Sequence, residues 1–192
     1  MGAAMVGVMR KRYNRHEMII VFTGNGKGKT TSSLGQMMRV LGRGKTALMI
    51  QFIKGPWVSG EDRFAEVYGI PNDRFAIRKM GLGFVGILGD PLPIEEHKEA
   101  AHKALAMFAE EAQSGKWHLI ILDEVNIAVS LGLVTAAEVL AAIGDYPKDR
   151  ILMLTGRGAP QEFIDAADLA TEMREIKHPY NAGADAQPTV EF

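Results

Sequence analysis

From residue 18 onward, short apolar runs alternate with longer stretches in which apolar residues return every three or four positions. Short continuous runs bounded by turn residues read as strands buried on both faces, and the longer period reads as amphipathic helix. The pattern predicts strands at 18–23, 46–52, 74–78, 118–123 and 150–155, with a weaker one at 171–176. Helices are predicted at 30–41, 94–113, 135–143 and 160–167. In the second of these Ile94, Ala101, Leu105, Phe108 and Ala112 share one face, which must be covered by a sheet. Strands alternating with helices build βαβ units, so the expected class is α/β: three layers around a mainly parallel central sheet of about five to six strands. Residues 79–93 form a long, glycine-rich, apolar connection, and a loop of that kind in a compact domain usually serves a ligand.

Composition narrows the function. A chain of 192 residues with 47% hydrophobic residues suits one domain with a substantial core. Its 22 basic and 23 acidic residues leave a net charge of −1, so no bulk attraction to nucleic acid is expected. The chain has no cysteine, which excludes disulfides, a thiol nucleophile, a thiolate zinc site and a protein-held iron–sulfur cluster. At the amino end, the apolar stretch 3–9 precedes the basic residues Arg10, Lys11 and Arg12, the reverse of a secretory signal. No run is long enough to cross a bilayer. The expectation is a cytoplasmic protein with no membrane partner. Its residues 1–16 form a short segment that is mobile or covers a neighbouring site, and 17–192 form a single domain.

The richest chemistry lies between the first strand and the first helix, in Gly24-Asn25-Gly26-Lys27-Gly28-Lys29-Thr30-Thr31. Glycines let a loop turn its N–H groups toward phosphate oxygens, the helix N-terminus adds positive potential, Lys29 reaches the phosphates and the Thr30 hydroxyl suits Mg²⁺. This makes the expected fold phosphate-loop NTPase-like. Counting back from Gly28, the glycine-bounded loop starts at Gly24, one residue tighter than the usual G-x-x-x-x-G-K-[ST]. The strand 118–123 ends in Asp123-Glu124, and a carboxylate there faces a nucleotide-bound metal, so either acid is a metal-sphere candidate.

Taken with Gln51-Phe52-Ile53-Lys54-Gly55, Leu122-Asp123-Glu124, Thr155-Gly156-Arg157-Gly158 and Lys177-His178-Pro179, the phosphate loop resembles that of the ATP:cob(I)alamin adenosyltransferases of the cobinamide/cobalamin biosynthesis type. The resemblance runs over about 17–192. It implies transfer of the 5′-deoxyadenosyl group of ATP to the cobalt(I) of a reduced corrinoid, with release of triphosphate, in adenosylcobalamin synthesis or corrinoid salvage. It further implies Mg²⁺ (or Mn²⁺), an external electron donor such as a reduced flavoprotein, and a homodimer. Lys29, Thr30 and Glu124 take the catalytic positions, the metal falls to Thr30, Glu124 and Asp123, and Arg157 joins the phosphate loop in binding nucleotide. The loop 80–88 becomes the apolar floor for the corrin, with Phe84 as its aromatic contact. The usual Gly-Phe-Thr-Trp is represented by Gly83-Phe84-Val85-Gly86, which lacks the second aromatic.

Two other functions share these motifs: a kinase or ATPase acting on the γ-phosphate, and a non-catalytic corrinoid or nucleotide carrier. Trp57 and Glu61 match positions near the nucleotide in the resemblance, and serve equally as anchors of an exposed loop. His97 and His102 lie five apart on the second helix and are expected to face solvent.

Overall fold

The structure is a computed structural model that describes residues 18–190 apart from 88, 145, 148, 184 and 188. The expectation for 1–16 therefore lies outside the described residues. Six strands are present: β1 Met18–Thr23, β2 Ala47–Gln51, β3 Phe75–Lys79, β4 Leu119–Asp123, β5 Ile151–Thr155 and β6 Leu169–Glu172. They form one sheet in the order β3-β2-β4-β5-β1-β6, and every pairing is parallel. All residues of β2 and β4 are buried, as a sheet covered on both faces requires.

Alternate side chains of each strand feed two cores. On one face Ile20, Met49, Ile121 and Met153 pack with Met37 and Val40 of α1 Lys29–Gly42. On the other, Val21, Ile50, Leu122 and Leu154 pack with Phe108 and Ala101 of α3 Ile94–Gln113, Val139 of α5 Ala136–Gly144 and Phe163 of α6 Gln161–Ala166. This is the expected three-layer α/β arrangement.

Three short elements are not announced by apolar periodicity. Helix α2 Gly60–Val67 buries none of its residues fully; Phe64 and Ala65 are half-buried against the core, too short a contact to show a repeating stripe. It begins where Asp62 Oδ2 accepts the Ser59 N–H at 2.7 Å and its hydroxyl at 3.0 Å, a reciprocal cap legible as Ser-x-x-Asp. Helix α4 Val125–Ser130 and a 3-10 turn at Pro179–Ala182 are too short to show a period. The sixth strand lies two residues earlier than 171–176 at its start and four earlier at its end. Its register is set by pairing of Leu169–Glu172 with Ile20–Thr23 and by Asp168, whose carboxylate accepts the Ile19 N–H at 2.8 Å. All four of its residues are exposed, which removes the apolar signal.

Parallel strands bring all their carboxyl ends to one edge, where open α/β sheets bind ligands. There β5 lies between β1 and β4, so the phosphate loop and the acidic strand end are not direct neighbours. The gap is bridged by side chains.

Candidate functional site

The phosphate loop owes its shape to two left-handed glycines, Gly24 at φ +93° and Gly28 at φ +116°. The segment leaving β6 braces it: Met173 N–H donates to Thr23 O at 2.8 Å, and Gly26 N–H donates to Met173 O at 2.7 Å. A Cβ on Gly24 would stand 2.5 Å from Met173 O, so only glycine fits so close to this backbone. Lys29 begins α1, is 7% exposed, and its ammonium donates to Gly24 O at 2.8 Å and Gly26 O at 2.7 Å. Burial pushes its pKa below the ordinary lysine value, aided by Arg157 and Lys27 and opposed by Glu124 and Asp123.

Asp123 is fully buried at the end of β4 and collects donors from three elements. Its Oδ1 accepts the Thr30 hydroxyl at 2.9 Å and the Thr155 hydroxyl at 2.8 Å; Oδ2 accepts Gln51 Nε2 at 3.3 Å and lies 3.5 Å from Lys54 Nζ. Lys54 also bonds Glu61 at 3.1 Å. Burial works against the Lys54 charge, but Asp123 and Glu61 outweigh it and raise its pKa. Thr155, Gln51 and Lys54 are thus site residues that motif matching left without a role. Their signal was position, at the carboxyl ends of β5 and β2.

Glu124 differs from its neighbour. Its backbone is left-handed at φ 63°, a strained geometry for a non-glycine residue, and its N–H is held by Thr155 Oγ1 at 3.0 Å. Its Oε2 is buried without a hydrogen-bond partner among the described residues. Burial first, and then the charge of Asp123, push its carboxyl up to about 7. A buried carboxylate oxygen with no donor, beside a second carboxylate and a hydroxyl, suits a hard divalent cation that takes oxygen ligands.

Residues 25–31, Glu124, Arg157 and Phe84 line one cleft of about 1000 Å³, with Lys54, Glu61, Phe64, Phe75, His178 and Tyr180. Gly24 and Asp123 lie behind this surface, buried by Met173 and by Thr30 respectively. Arg157 is exposed between Gly156 at φ +132° and Gly158 at φ +64°, and buried Asn126 holds this turn by donating to Gly156 O at 3.0 Å. A second cavity of about 530 Å³ opens beyond Arg157, walled by Glu175, His178, Tyr180, Asn181 and Asp185.

The loop after β3 runs beside the end of β2: Met80 and Gly81 N–H donate to Gln51 O, and Gly83 N–H to Ile53 O at 2.9 Å. Gly83, at φ +111°, lies under the Trp57 ring, and Phe84 packs on that ring at 5.6 Å between centroids. Trp57 is 60% exposed and anchors this loop, whereas Glu61 does line the cleft. Lys79 ties the same region together by donating to Asp62 and to Trp57 O.

One expectation is corrected. His102 is exposed, but His97 is only 3% exposed and faces the loop after β3, with Nε2 2.9 Å from Asp90 Oδ2. Spacing foretold this, because His97, Ala101, Ala104 and Phe108 lie four, three and four apart on the buried stripe of α3.

The described residues contain no helix long and apolar enough to cross a membrane. The family model for ATP:corrinoid adenosyltransferase BtuR/CobO/CobP matches residues 15–192. A corrinoid adenosyltransferase of Pseudomonas aeruginosa is 38% identical over 175 residues, covering 91% of this chain and 83% of its own. The corrinoid adenosyltransferase of Escherichia coli strain K12 is 32% identical over 175 residues, covering 91% and 85%. The corrinoid adenosyltransferase CobA of Salmonella typhimurium is 34% identical over 182 residues, with the same coverage of 91% and 85%.

Proposed function

The chain belongs to the ATP:corrinoid adenosyltransferase family, and it transfers the adenosyl group of ATP to a corrinoid. From that premise we propose how its residues divide the work. The observation that carries the reading is the single cleft in which the phosphate loop, Glu124 and Phe84 meet. Family membership sets aside both the γ-phosphate kinase or ATPase and the non-catalytic carrier.

In the reaction, the cobalt(I) lone pair forms a bond to the ribose 5′ carbon. The 5′ carbon–oxygen bond breaks, and its electrons leave with triphosphate. Cobalt(I) is already a strong nucleophile, so no general base is needed, and the site's work is orientation and leaving-group stabilisation. The N–H groups of the phosphate loop bind the triphosphate, and Lys29 meets its developing charge at the reaction's most anionic point. Lys27 and Arg157, both exposed on the cleft, add cationic contacts. Thr30 and Glu124 would hold Mg²⁺, with Asp123 orienting the Thr30 hydroxyl from behind. When bound, that ion neutralises phosphate charge. The half-exposed Phe84, seated on Trp57, offers an apolar contact to the corrin plate.

Two partners complete the reading. The sequence has no thiol to act as a redox couple, so the cobalt(I) is made by an external donor such as a reduced flavoprotein, in the cytoplasm. A homodimer is supported by the exposed apolar residues Ile176 and Tyr180, 82% and 77% accessible, the second of them on the cleft. Incubating the protein with ATP, Mg²⁺ and chemically reduced cobalamin tests the chemistry. The expected result is a light-sensitive cobalt–carbon bond with an equal amount of tripolyphosphate; ADP without that bond overturns the reading.

A further inference from the structure

The loop after β3 is held only in part by burial of its own side chains: Met80 and Val85 are half-buried against the core. Leu82, Phe84 and Ile87 are 38%, 49% and 59% exposed, so the hydrophobic effect contributes little to fixing the limb beyond Val85. Among the described residues, what ties its far limb to the domain is one carboxylate. Asp90 Oδ2 accepts the Gly86 N–H at 2.8 Å, its Oδ1 accepts the Leu92 N–H at 3.1 Å, and His97 Nε2 lies 2.9 Å from Oδ2. The two side chains are 2% and 5% exposed, His97 and Asp90 respectively. An ionised carboxylate only accepts, so the imidazole donates its Nε2 proton and the loop backbone hangs from α3 through a charge-assisted bond. His97 is itself immobile, because the same stripe of α3 carries Ala101, Ala104 and Phe108 into the core.

We propose that Asp90 and His97 form a latch that fixes the Phe84 loop over the cleft and so sets the affinity for the corrinoid, as positioning residues that touch neither substrate. The inference rests on the reading above that Phe84 faces the corrin. Its physical basis is preorganisation: a loop with exposed apolar side chains, already ordered, loses less entropy when a flat apolar ligand settles on it. The latch also accounts for Gly86. Its backbone is left-handed at φ +67° with open space around it, and its N–H is directed at Asp90, so the turn is made by a hydrogen bond where the family motif has an aromatic side chain.

The test compares KM for chemically reduced cobalamin with KM for ATP in the full chain, read from cobalt–carbon bond formation. Asp90→Ala and His97→Leu are expected to raise the cobalamin KM by about tenfold or more while the ATP KM stays within about twofold. Asp90→Asn, which keeps one acceptor oxygen for the loop backbone, is expected to lie between those variants and wild type. Should Asp90→Ala fail to fold, Asp90→Asn and His97→Leu decide the matter on the same two constants. Equal rises in both KM values overturn the latch, because they report general damage. Phe84→Ala separates the two levels of the reading. If it raises the cobalamin KM while the latch variants do not, the latch is wrong and the loop assignment stands. If none of these variants changes the cobalamin KM, the loop does not face the corrin and both fall.

Discussion

The Thr155 hydroxyl donates to Asp123 Oδ1 at 2.8 Å, and this bond joins the end of β5 to the end of β4 at the carboxyl edge of the sheet. Because the same hydroxyl accepts the Glu124 N–H at 3.0 Å, Thr155 fixes both acids at once. Replacing it by valine keeps the shape but strands a buried N–H and removes a donor from a buried carboxylate. Thr155→Val is expected to destabilise the protein by about 1–3 kcal/mol, measured by urea unfolding, with Thr155→Ser close to wild type. A valine variant as stable as wild type would remove Thr155 from this role.

Glu124 makes stability depend on pH in a direction unusual for a carboxylate. Its carboxyl is pushed up to about 7, against an ordinary value of 4.5. Between these values the folded protein keeps a proton that the unfolded chain has released, so the unfolded state binds fewer protons and stability falls as pH rises through that window. Above pH 7 the effect is level, at up to roughly 3 kcal/mol. Urea midpoints at pH 5 and pH 8, taken in chelator, are expected to show this decline in wild type and to lose it in Glu124→Gln. The same decline in both proteins would contradict the assignment.

Gly26 has no room for a methyl group. Its Cβ would lie 2.7 Å from both the carbonyl carbon of Arg174 and Met173 O, and its N–H already donates to Met173 O. Gly26→Ala is expected to push the segment after β6 off the phosphate loop and weaken ATP binding by about tenfold or more. Calorimetric titration with ATP measures this, and an unchanged circular dichroism spectrum shows that the fold survives.

Most of the fold was legible because its strands are buried on both faces and its long helices carry clear apolar stripes. The predicted 94–113 coincides with α3, and the first strand coincides with β1. The phosphate loop was legible because its function demands particular residues at fixed spacing. Less legible were elements whose cause is not periodic: α2, which buries no residue fully and starts from a Ser59–Asp62 cap, and β6, whose register comes from Asp168 and an exposed edge. Within the site, motif reading named Asp123 and Glu124 together as metal candidates. Only their surroundings part them: Asp123 is spent on Thr30, Thr155 and Gln51, while Glu124 keeps a buried, unpaired oxygen. The five-residue spacing to the exposed His102 points His97 to solvent, but its own place on the α3 stripe with Ala101, Ala104 and Phe108 decides its burial.

Lys29 carries the central claim, that catalysis here is stabilisation of a departing triphosphate. The most direct measurement is the single-turnover rate of cobalt–carbon bond formation, with ATP and chemically reduced cobalamin saturating, in wild type and in Lys29→Ala. The predicted result is a rate lower by at least about a hundredfold, the scale of losing one preorganised donor to a developing negative charge, with tripolyphosphate still the product. A Lys29→Ala rate near that of wild type would contradict the mechanism.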